Sequence, residues 1–435
     1  MDKIYDLTFI GAGPSSVFAI LKLLENNYTK NICLIEKGNS LKTRKPNEII
    51  SGFCGAGTFS DSKLSSALDV GGVIPNLTQE DLNQYDNYIL NMLNKFKQQT
   101  NNKEILKWDI TNNFDTSNTN LEWNRHKTCH VGTENGQAIY RKIEEYFETQ
   151  SNLDMLFNTN IINIDYKYNI YYIKDENNNI IKSKKLITST GQKDILPSKL
   201  IEKFKLQSTP RAFQLGIRVV DEINPQYENI IKANYDFKFV KKYIYDNIKI
   251  RVRTFCCNSG NAHVCAEKSP LGFTCFNGHA YKTPDSNNHS VNYGIICEIE
   301  GLNKYSSKEN QINLIRNINN ISTWKYDNFN NIDEEPVPKR KLLDGFEHLK
   351  GYYPGEVIES LNNFINELNK IVNLNNARYL YPEVKLSGEV PDLNYKTFET
   401  KQPNLYMIGD CSVSRGIIKA AITGIIFAEN QLKEV

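Results

Sequence analysis

The sequence lacks any pair of cysteines at C-x-x-C spacing. Its nine cysteines, Cys33, Cys54, Cys129, Cys256, Cys257, Cys265, Cys275, Cys297 and Cys411, are odd in number and scattered. A secreted disulfide framework, a two-cysteine redox centre and a closed zinc site each need spacings that this chain does not have, so reduced thiols and no metal are expected. Only the adjacent pair Cys256 and Cys257 is unusual; the others read as small buried residues. An excess of one charge is also missing. Lys and Arg number 52 against 50 Asp and Glu, a net charge of +2, so no global field draws the chain to nucleic acid or to an anionic membrane. No apolar run reaches the roughly 18 to 20 residues of a membrane span. The opening residues, MDKIYDLTFIGAG, lead directly into a strand, and a cytoplasmic location is expected.

What is present begins with length. At 435 residues the chain exceeds the size at which one hydrophobic core stops growing, which predicts two lobes. The first forty residues read as strand, turn, helix, strand. Leu7 to Ile10 and Ile32 to Glu36 are the apolar strands, and Val17, Ile20, Leu21 and Leu24 repeat at helical spacing between them. Pro14 stands in the first helical turn, where its missing N–H does no harm. From Gln79 to about Lys127 the chain is polar and Asn-rich, with an amphipathic stretch at Tyr88 to Phe96: a helix followed by a surface insertion is predicted. Between Met155 and Ser189 the runs Ile161–Ile164, Ile170–Ile173 and Leu186–Ile187 predict a small antiparallel meander returning to a buried strand. Strands and helices are mixed from Leu196 to about Leu380, with one helix predicted over Gly355–Leu374. At the end Asn404–Ile408 reads as a buried strand, Gly409–Ser414 as a turn and Gly416–Leu432 as an apolar helix.

The segment Gly11-Ala12-Gly13-Pro14-Ser15-Ser16 follows a strand and opens a helix, and Glu36 closes the next strand 20 residues after Ser16. This is the dinucleotide-binding fingerprint. Gly11 permits the tight turn, Gly13 admits a pyrophosphate close to the backbone, and the helix N-terminus adds N–H donors and partial positive charge. Glu36 accepts hydrogen bonds from a ribose diol. Ser16 replaces the third glycine and must fit a close helix-to-sheet contact. Two further segments carry the signature of a flavoprotein: Leu186–Gly191, an apolar strand running into Thr190-Gly191, and Asn404–Asp410, where Asp410 at a strand end is suited to a ribityl chain. A second Gly-x-Gly-x-x-Gly is missing, since Gly71-Gly72 run on into Val73, Ile74 and Pro75. A separate pyridine-nucleotide domain is therefore not expected.

On these residues the sequence resembles the uncharacterised FAD-dependent dehydrogenase family of the NAD(P)/FAD-dependent oxidoreductase superfamily, along most of the chain. Gly52–Leu64 is similar to that family's "GfGGaGafSDGKL" segment, with Cys54 and Ser62 standing at two of its glycines. His130–Glu134 is similar to "HiGTd", Gln214–Arg218 to "iGvRiE", Phe276–His279 to "tNGhs" and Gly409–Ile417 to "GDgaG.tRGI". Thr254-Phe255-Cys256 resembles "tFCmCPGG", but Asn258 stands at the second cysteine and Ser259 at the proline, a departure from any cysteine-pair chemistry. The resemblance implies FAD, with Gly57, Thr58 and Lys63 beside the pyrophosphate and flavin. The full cofactor set expected is Gly11, Gly13, Pro14, Ser15, Ser16, Glu36, Lys37, Gly57, Thr58, Lys63, Thr190, Gly191, Gly409, Asp410, Arg415, Gly416 and Ile417.

The expected fold class is α/β, a Rossmann-like three-layer FAD-binding domain with an inserted mixed α+β substrate or cap domain. The predicted divisions are 1–65, 127–195 and 381–435 for three parts of the FAD-binding domain, 66–126 for an insertion and 196–380 for the substrate domain. The expected function is an FAD-dependent oxidoreductase moving hydride between flavin N5 and a small organic substrate, with either transiently bound NAD(P)H or the substrate itself as the electron donor. Catalytic candidates are Arg218, suited to clamp an anion, His130 and His279, suited to proton transfer, and Cys256. Two alternatives stand beside it: a flavin enzyme acting on nucleic acid, supported only by the Lys-rich run Phe237–Arg253, and a non-catalytic FAD-binding sensor.

Overall fold

Short runs rich in apolar and β-branched residues build the first sheet. The structure, a computed structural model, describes residues 3–434 apart from 46–47, 49, 192–193, 270–271, 303, 305–306, 322–345, 347–348 and 387. It is a mixed α/β chain with several sheets that divides into two units. Unit 1 comprises Met1–Lys107, Thr133–Thr209 and Glu389–Val435; unit 2 comprises Trp108–Gly132 and Pro210–Gly388.

In unit 1 the strands are β1 (Ile4–Ile10), β2 (Ile32–Ile35), β3 (Leu153–Leu156), β4 (Ile161–Lys167), β5 (Ile170–Asp175), β6 (Ile180–Thr188) and the C-terminal strand Leu405–Met407. They order β3-β2-β1-β6-β5-β4, with Leu405–Met407 also on β6. The run β3-β2-β1-β6 and the C-terminal strand are parallel, while β4, β5 and the start of β6 form the antiparallel meander the sequence predicts. Its turn is held by Asp175, whose Oδ1 accepts from Asn177 N and Asn179 N.

The registers matter more than the order. Ile10 lies opposite both Ile35 and Thr188, Ile35 opposite Leu156, and Thr188 opposite Met407. The parallel strands therefore end in line, and the segments that follow them leave one edge of the sheet.

Helix α1 (Pro14–Glu25) crosses from β1 to β2, and the C-terminal helix (Gly416–Lys433) packs against it. They cross closely: a Cβ on Gly424 would lie 1.9 Å from the Ser15 carbonyl oxygen. Helix α2 (Gln79–Lys97) contains the amphipathic stretch Tyr88–Phe96 and begins at a capping box in which Thr78 accepts from Asp81 N and Asp81 accepts from Thr78 N. It packs on α3 (Thr133–Glu148) and on the C-terminal helix. Residues 66–107, expected within an insertion, thus belong to unit 1, because the apolar stripe of α2 (Leu82, Ile89, Leu90, Leu93, Phe96) is buried there. A short helix α4 (Leu196–Lys203) follows β6.

Unit 2 is built on antiparallel strands β7 (Phe213–Glu222), β8 (Phe239–Tyr245), β9 (Ile248–Ser269), β10 (Phe273–Tyr281), β11 (Ser290–Glu300) and β12 (Arg378–Lys385), ordered β12-β7-β11-β9-β8. Strand β10 pairs with the far half of β9, and the two-residue strand Glu122–Trp123 pairs with β8. Alternation along β7 sends Leu215, Ile217 and Val219 to an apolar core shared with α5 (Pro225–Ala233), α6 (Lys308–Ile321) and α7 (Gly355–Leu368). Gln214, Gly216 and Arg218 take the other face. Helix α7 stops at Leu368, short of the predicted Leu374. Ile371 N and Val372 N turn back to the Leu368 carbonyl, and Asn369 Oδ1 accepts from Leu374 N at 2.9 Å. No helix among the described residues is long and apolar enough to cross a membrane.

Candidate functional site

The turn after β1 is the tightest part of unit 1. Gly11 has φ +100°, and a Cβ there would lie 2.6 Å from the Ser189 carbonyl oxygen, so only glycine fits. Gly13 caps α1 without any side-chain cap, and Pro14 follows at the first helical position. Ser15 and Ser16 are buried: Ser15 meets Gly409 and Gly424, and Ser16 Oγ lies 2.5 Å from Ser189 Oγ. Ser16 therefore fills the close contact that its small size predicted. The first-turn N–H groups of α1 have no intrahelical partner and face the edge where the strands end.

Glu36 is buried at the end of β2. Its Oε2 accepts from Ala12 N, and its Oε1 from Gly38 N and Gly52 N, each at 2.8 Å. One carboxylate thus ties together the β1 turn, the β2 turn and the glycine-rich loop, and Oε2 keeps a lone pair for a further donor. Lys37 beside it is exposed.

The glycine-rich loop folds over the same turn. Cys54 N donates to Ala12 O at 2.8 Å, and a Cβ on Gly55 would stand 3.7 Å from Gly13 Cα. Cys54 and Ser62, the two residues at the family's glycines, both adopt left-handed backbone, with φ +59° and +49°. Thr58 is buried with its Oγ1 donating to Phe53 O at 2.9 Å. Lys63 is turned inward, its Nζ 3.2 Å from Asp61 Oδ2 with both side chains almost fully covered. A Cβ on Gly57 would sit 3.4 Å from Ile417 Cδ1, which brings the loop to the start of the C-terminal helix.

That helix has Arg415 at its N-cap and, like α1, no side-chain cap. Asp410 lies in the single turn Gly409–Cys411, and Gly409 N donates to Thr423 Oγ1 at 2.8 Å. Around Gly191 and Gly416 an added Cβ would meet nothing within 4 Å. Thr190 Oγ1 is buried with no hydrogen-bond partner among the described residues. Two uncapped helix N-termini, open space at two glycines and an unpaired buried hydroxyl meet at one sheet edge, which suits a dinucleotide with an anionic middle.

Several residues of this arrangement were given no role by the sequence. Ser189 Oγ donates to Ile10 O and Gly11 O at 2.9 and 2.8 Å, locking the β1 turn to β6. Gly71 and Gly72, which form no nucleotide motif, lie on the backbone of 413–415: an added Cβ would meet Arg415 O at 2.4 Å and Val413 O at 2.3 Å. Buried Lys419, its pKa pushed down to about 8 by burial, donates toward Leu68 O at 3.4 Å. Arg44 and Glu144, behind the glycine-rich loop, likewise stand in no motif.

Unit 2 brings three of the four catalytic candidates near one β-bulge. The pairing of β9 with β11 shifts between Phe255 and Asn258, and Cys256 there has φ +50° and a half-buried thiol 3.9 Å from Gly278 O. His279 follows Gly278 and stacks on His263, ring centroids 5.4 Å apart. Arg218 beneath them is fully buried. Its Nε donates to Glu383 Oε2 at 2.8 Å and its Nη1 to Asn292 Oδ1 at 2.8 Å. The guanidinium expected as an anion clamp is thus paired with a buried carboxylate, while its Nη2 makes no hydrogen bond among the described residues. His130 stacks on Tyr235 at 4.1 Å, and Tyr235 OH accepts from Ser259 N at 3.3 Å. All nine cysteines are free, and among the described residues no three His, Cys, Asp or Glu stand together as a metal site.

No known protein family matches the chain, and neither does any curated protein. Among solved structures it aligns with CtdE in complex with FAD over 97% of this chain and 82% of that one, at 10% identity and TM-score 0.40. The tetracycline destructase Tet(51) aligns over 99% and 83%, at 10% identity and TM-score 0.38. NikD, an unusual amino acid oxidase essential for nikkomycin biosynthesis, aligns in its open form over 100% and 95%, at 10% identity and TM-score 0.47. At scores below one half, none of these likenesses decides the fold or the chemistry of this chain.

Proposed function

We propose that the chain is an FAD-dependent oxidoreductase. The observation that carries the reading is the common line on which the parallel strands of unit 1 end, Ile10 with Ile35 and Thr188, and Thr188 with Met407. The turn Gly11–Ser16, Glu36, Thr190-Gly191 and Gly409–Ile417 all leave that edge, the place where open parallel sheets bind their ligands. Under this reading unit 1 is a Rossmann-like FAD-binding domain and unit 2 a mixed α+β substrate domain inserted into it. Glu36 accepts a ribose hydroxyl, the first-turn N–H groups of α1 hold the pyrophosphate, Thr190 donates its unpaired hydroxyl, and the start of the C-terminal helix at Gly416 and Ile417 faces the electron-rich pyrimidine end. Lys37, Gly57, Thr58, Lys63, Asp410 and Arg415 complete the lining. The bound flavin supplies hydride transfer at N5 to or from a small organic substrate, and the protein orients it and excludes water.

The nucleic-acid alternative draws no support from the Lys-rich run. In β9, Lys249 stands opposite Glu300 and Arg251 opposite Glu298 of β11, so the strand face is of mixed sign. The direct test is an absorbance spectrum of the purified protein followed by anaerobic titration with NADH and NADPH. Flavin bands that bleach at roughly 1 per second or faster support a pyridine-nucleotide-driven dehydrogenase or reductase. Bands that persist with both donors point to oxidation driven by the substrate. A protein that takes up no flavin overturns the proposal.

A further inference from the structure

The glycine-rich loop is wrapped around one buried cation. Arg44 donates from Nε to Glu48 O, from Nη1 to Phe53 O and from Nη2 to Gly55 O, each at 2.9 Å. Its guanidinium carbon also lies 4.7 Å from the centre of the Phe59 ring. Gly52, at φ +114°, is pressed against the same side chain: a Cβ there would come within 2.7 Å of Arg44 Cδ. Each nitrogen of the guanidinium thus meets a backbone carbonyl, two of them within the loop.

A trans peptide unit points its C=O and its N–H in opposite directions. With Phe53 O drawn to Arg44, the N–H of Cys54 must point away from it, and it does so, onto Ala12 O at 2.8 Å. By the same geometry, Gly55 O on Arg44 turns the N–H of Ala56 to the side of the loop that faces Gly13. The loop's conformation is otherwise unfavourable, since Cys54, a residue with a side chain, takes left-handed backbone. Something outside the loop must hold it, and Arg44 is placed to do so. Behind Arg44, Glu144 of α3 receives Leu41 N at 3.1 Å and fixes the turn that carries the arginine.

We propose that Arg44 is the positioning residue of the cofactor site: by holding the Phe53 and Gly55 carbonyls it turns the opposite face of the glycine-rich loop toward the pyrophosphate and flavin half of the dinucleotide. The inference rests on the FAD reading above. It separates the two halves of the ligand, because the ribose of the adenosine half is assigned to Glu36 at the end of β2, whereas the part of the loop whose carbonyls Arg44 holds runs on to Gly57 beside Ile417.

The experiment measures dissociation constants for FAD and for AMP on the wild-type apoprotein, on Arg44→Met and on Arg44→Lys, with far-UV circular dichroism and the apoprotein melting temperature as folding controls. The expected result is a loss of at least tenfold in FAD affinity for Arg44→Met with AMP affinity held within threefold, and an intermediate loss for Arg44→Lys, whose single ammonium holds fewer carbonyls. If Arg44→Met does not fold, Arg44→Lys carries the same comparison. A folded variant that binds FAD within threefold of wild type overturns the inference alone. So does an equal loss for both ligands, which would report a loosened domain rather than a misplaced loop. Wild-type protein that binds neither FAD nor AMP overturns the flavoprotein reading and the inference with it.

Discussion

Glu144 offers the sharpest test of the electrostatics behind the glycine-rich loop. It lies on α3 with its side chain 1% exposed, and both carboxylate oxygens share one donor, Leu41 N, at 3.1 Å. Burial pushes its pKa up to about 7 from 4.5, the Leu41 N–H and the charges of Lys42 and Arg141 pull it down, and Glu148 adds to the rise. The folded protein therefore holds this proton more tightly than the unfolded chain. The stability it contributes is fully present below pH 4.5 and is lost as pH rises through about 7. At about 1.4 kcal/mol per tenfold change, a gap of this size is worth at most about 3 kcal/mol. The nearby Lys42–Glu148 pair is solvent-exposed, so screening reduces the figure to about 2 kcal/mol. Gln at this position keeps an acceptor for Leu41 N and removes the titration. Urea unfolding of wild type and Glu144→Gln at pH 5 and pH 8 is the assay. The variant's stability relative to wild type should rise by about 2 kcal/mol between pH 5 and pH 8. A stability difference that is the same at both pH values would refute the reasoning.

Other outcomes follow from the same contacts. Gly424→Ala places a methyl 1.9 Å from Ser15 O, a backbone atom in the helix crossing, and should cost about 1–3 kcal/mol and lower FAD retention; an unchanged melting temperature would show that the helices can separate freely. Arg218→Met strands Glu383 and should cost about 3–5 kcal/mol, most of it recovered by adding Glu383→Met. A stable single variant with only a raised KM would instead return Arg218 to substrate binding. Of the nine cysteines only Cys256 and Cys265 are not buried. Iodoacetamide on native protein should therefore label these two first, and rapid labelling of a third, read by peptide mass spectrometry, would contradict the burial of the others.

Much of unit 1 was legible because its signals are local. Gly11, Gly13, Pro14 and Glu36 mark strand ends and a helix start whatever the rest of the chain does, and the meander from Ile161 to Thr188 shows in short apolar runs separated by Asn and Asp. Arg44 and Glu144 were not legible, because nothing in their neighbours along the chain shows that one will hold two carbonyls of a loop 9 to 11 residues on and the other will reach back 103 positions to Leu41. The ion pair of Arg218 was hidden for the same reason. A lone arginine on a strand reads as a ligand clamp until Glu383, 165 residues away, is found against it.

By itself the sequence determined the strand–turn–helix at the start, the acidic residue closing β2, the meander and the C-terminal strand and helix. Each depends on backbone sterics and side-chain periodicity within a few residues. The tertiary structure decided what those pieces do together. The parallel registers put four strand ends on one edge, the Ser15–Gly424 crossing brings the two uncapped helices together, and buried Arg44 shapes a loop that its own residues would not hold. These are long-range matters of register, close approach and buried charge, and their energies arise only once distant segments exclude water from one another.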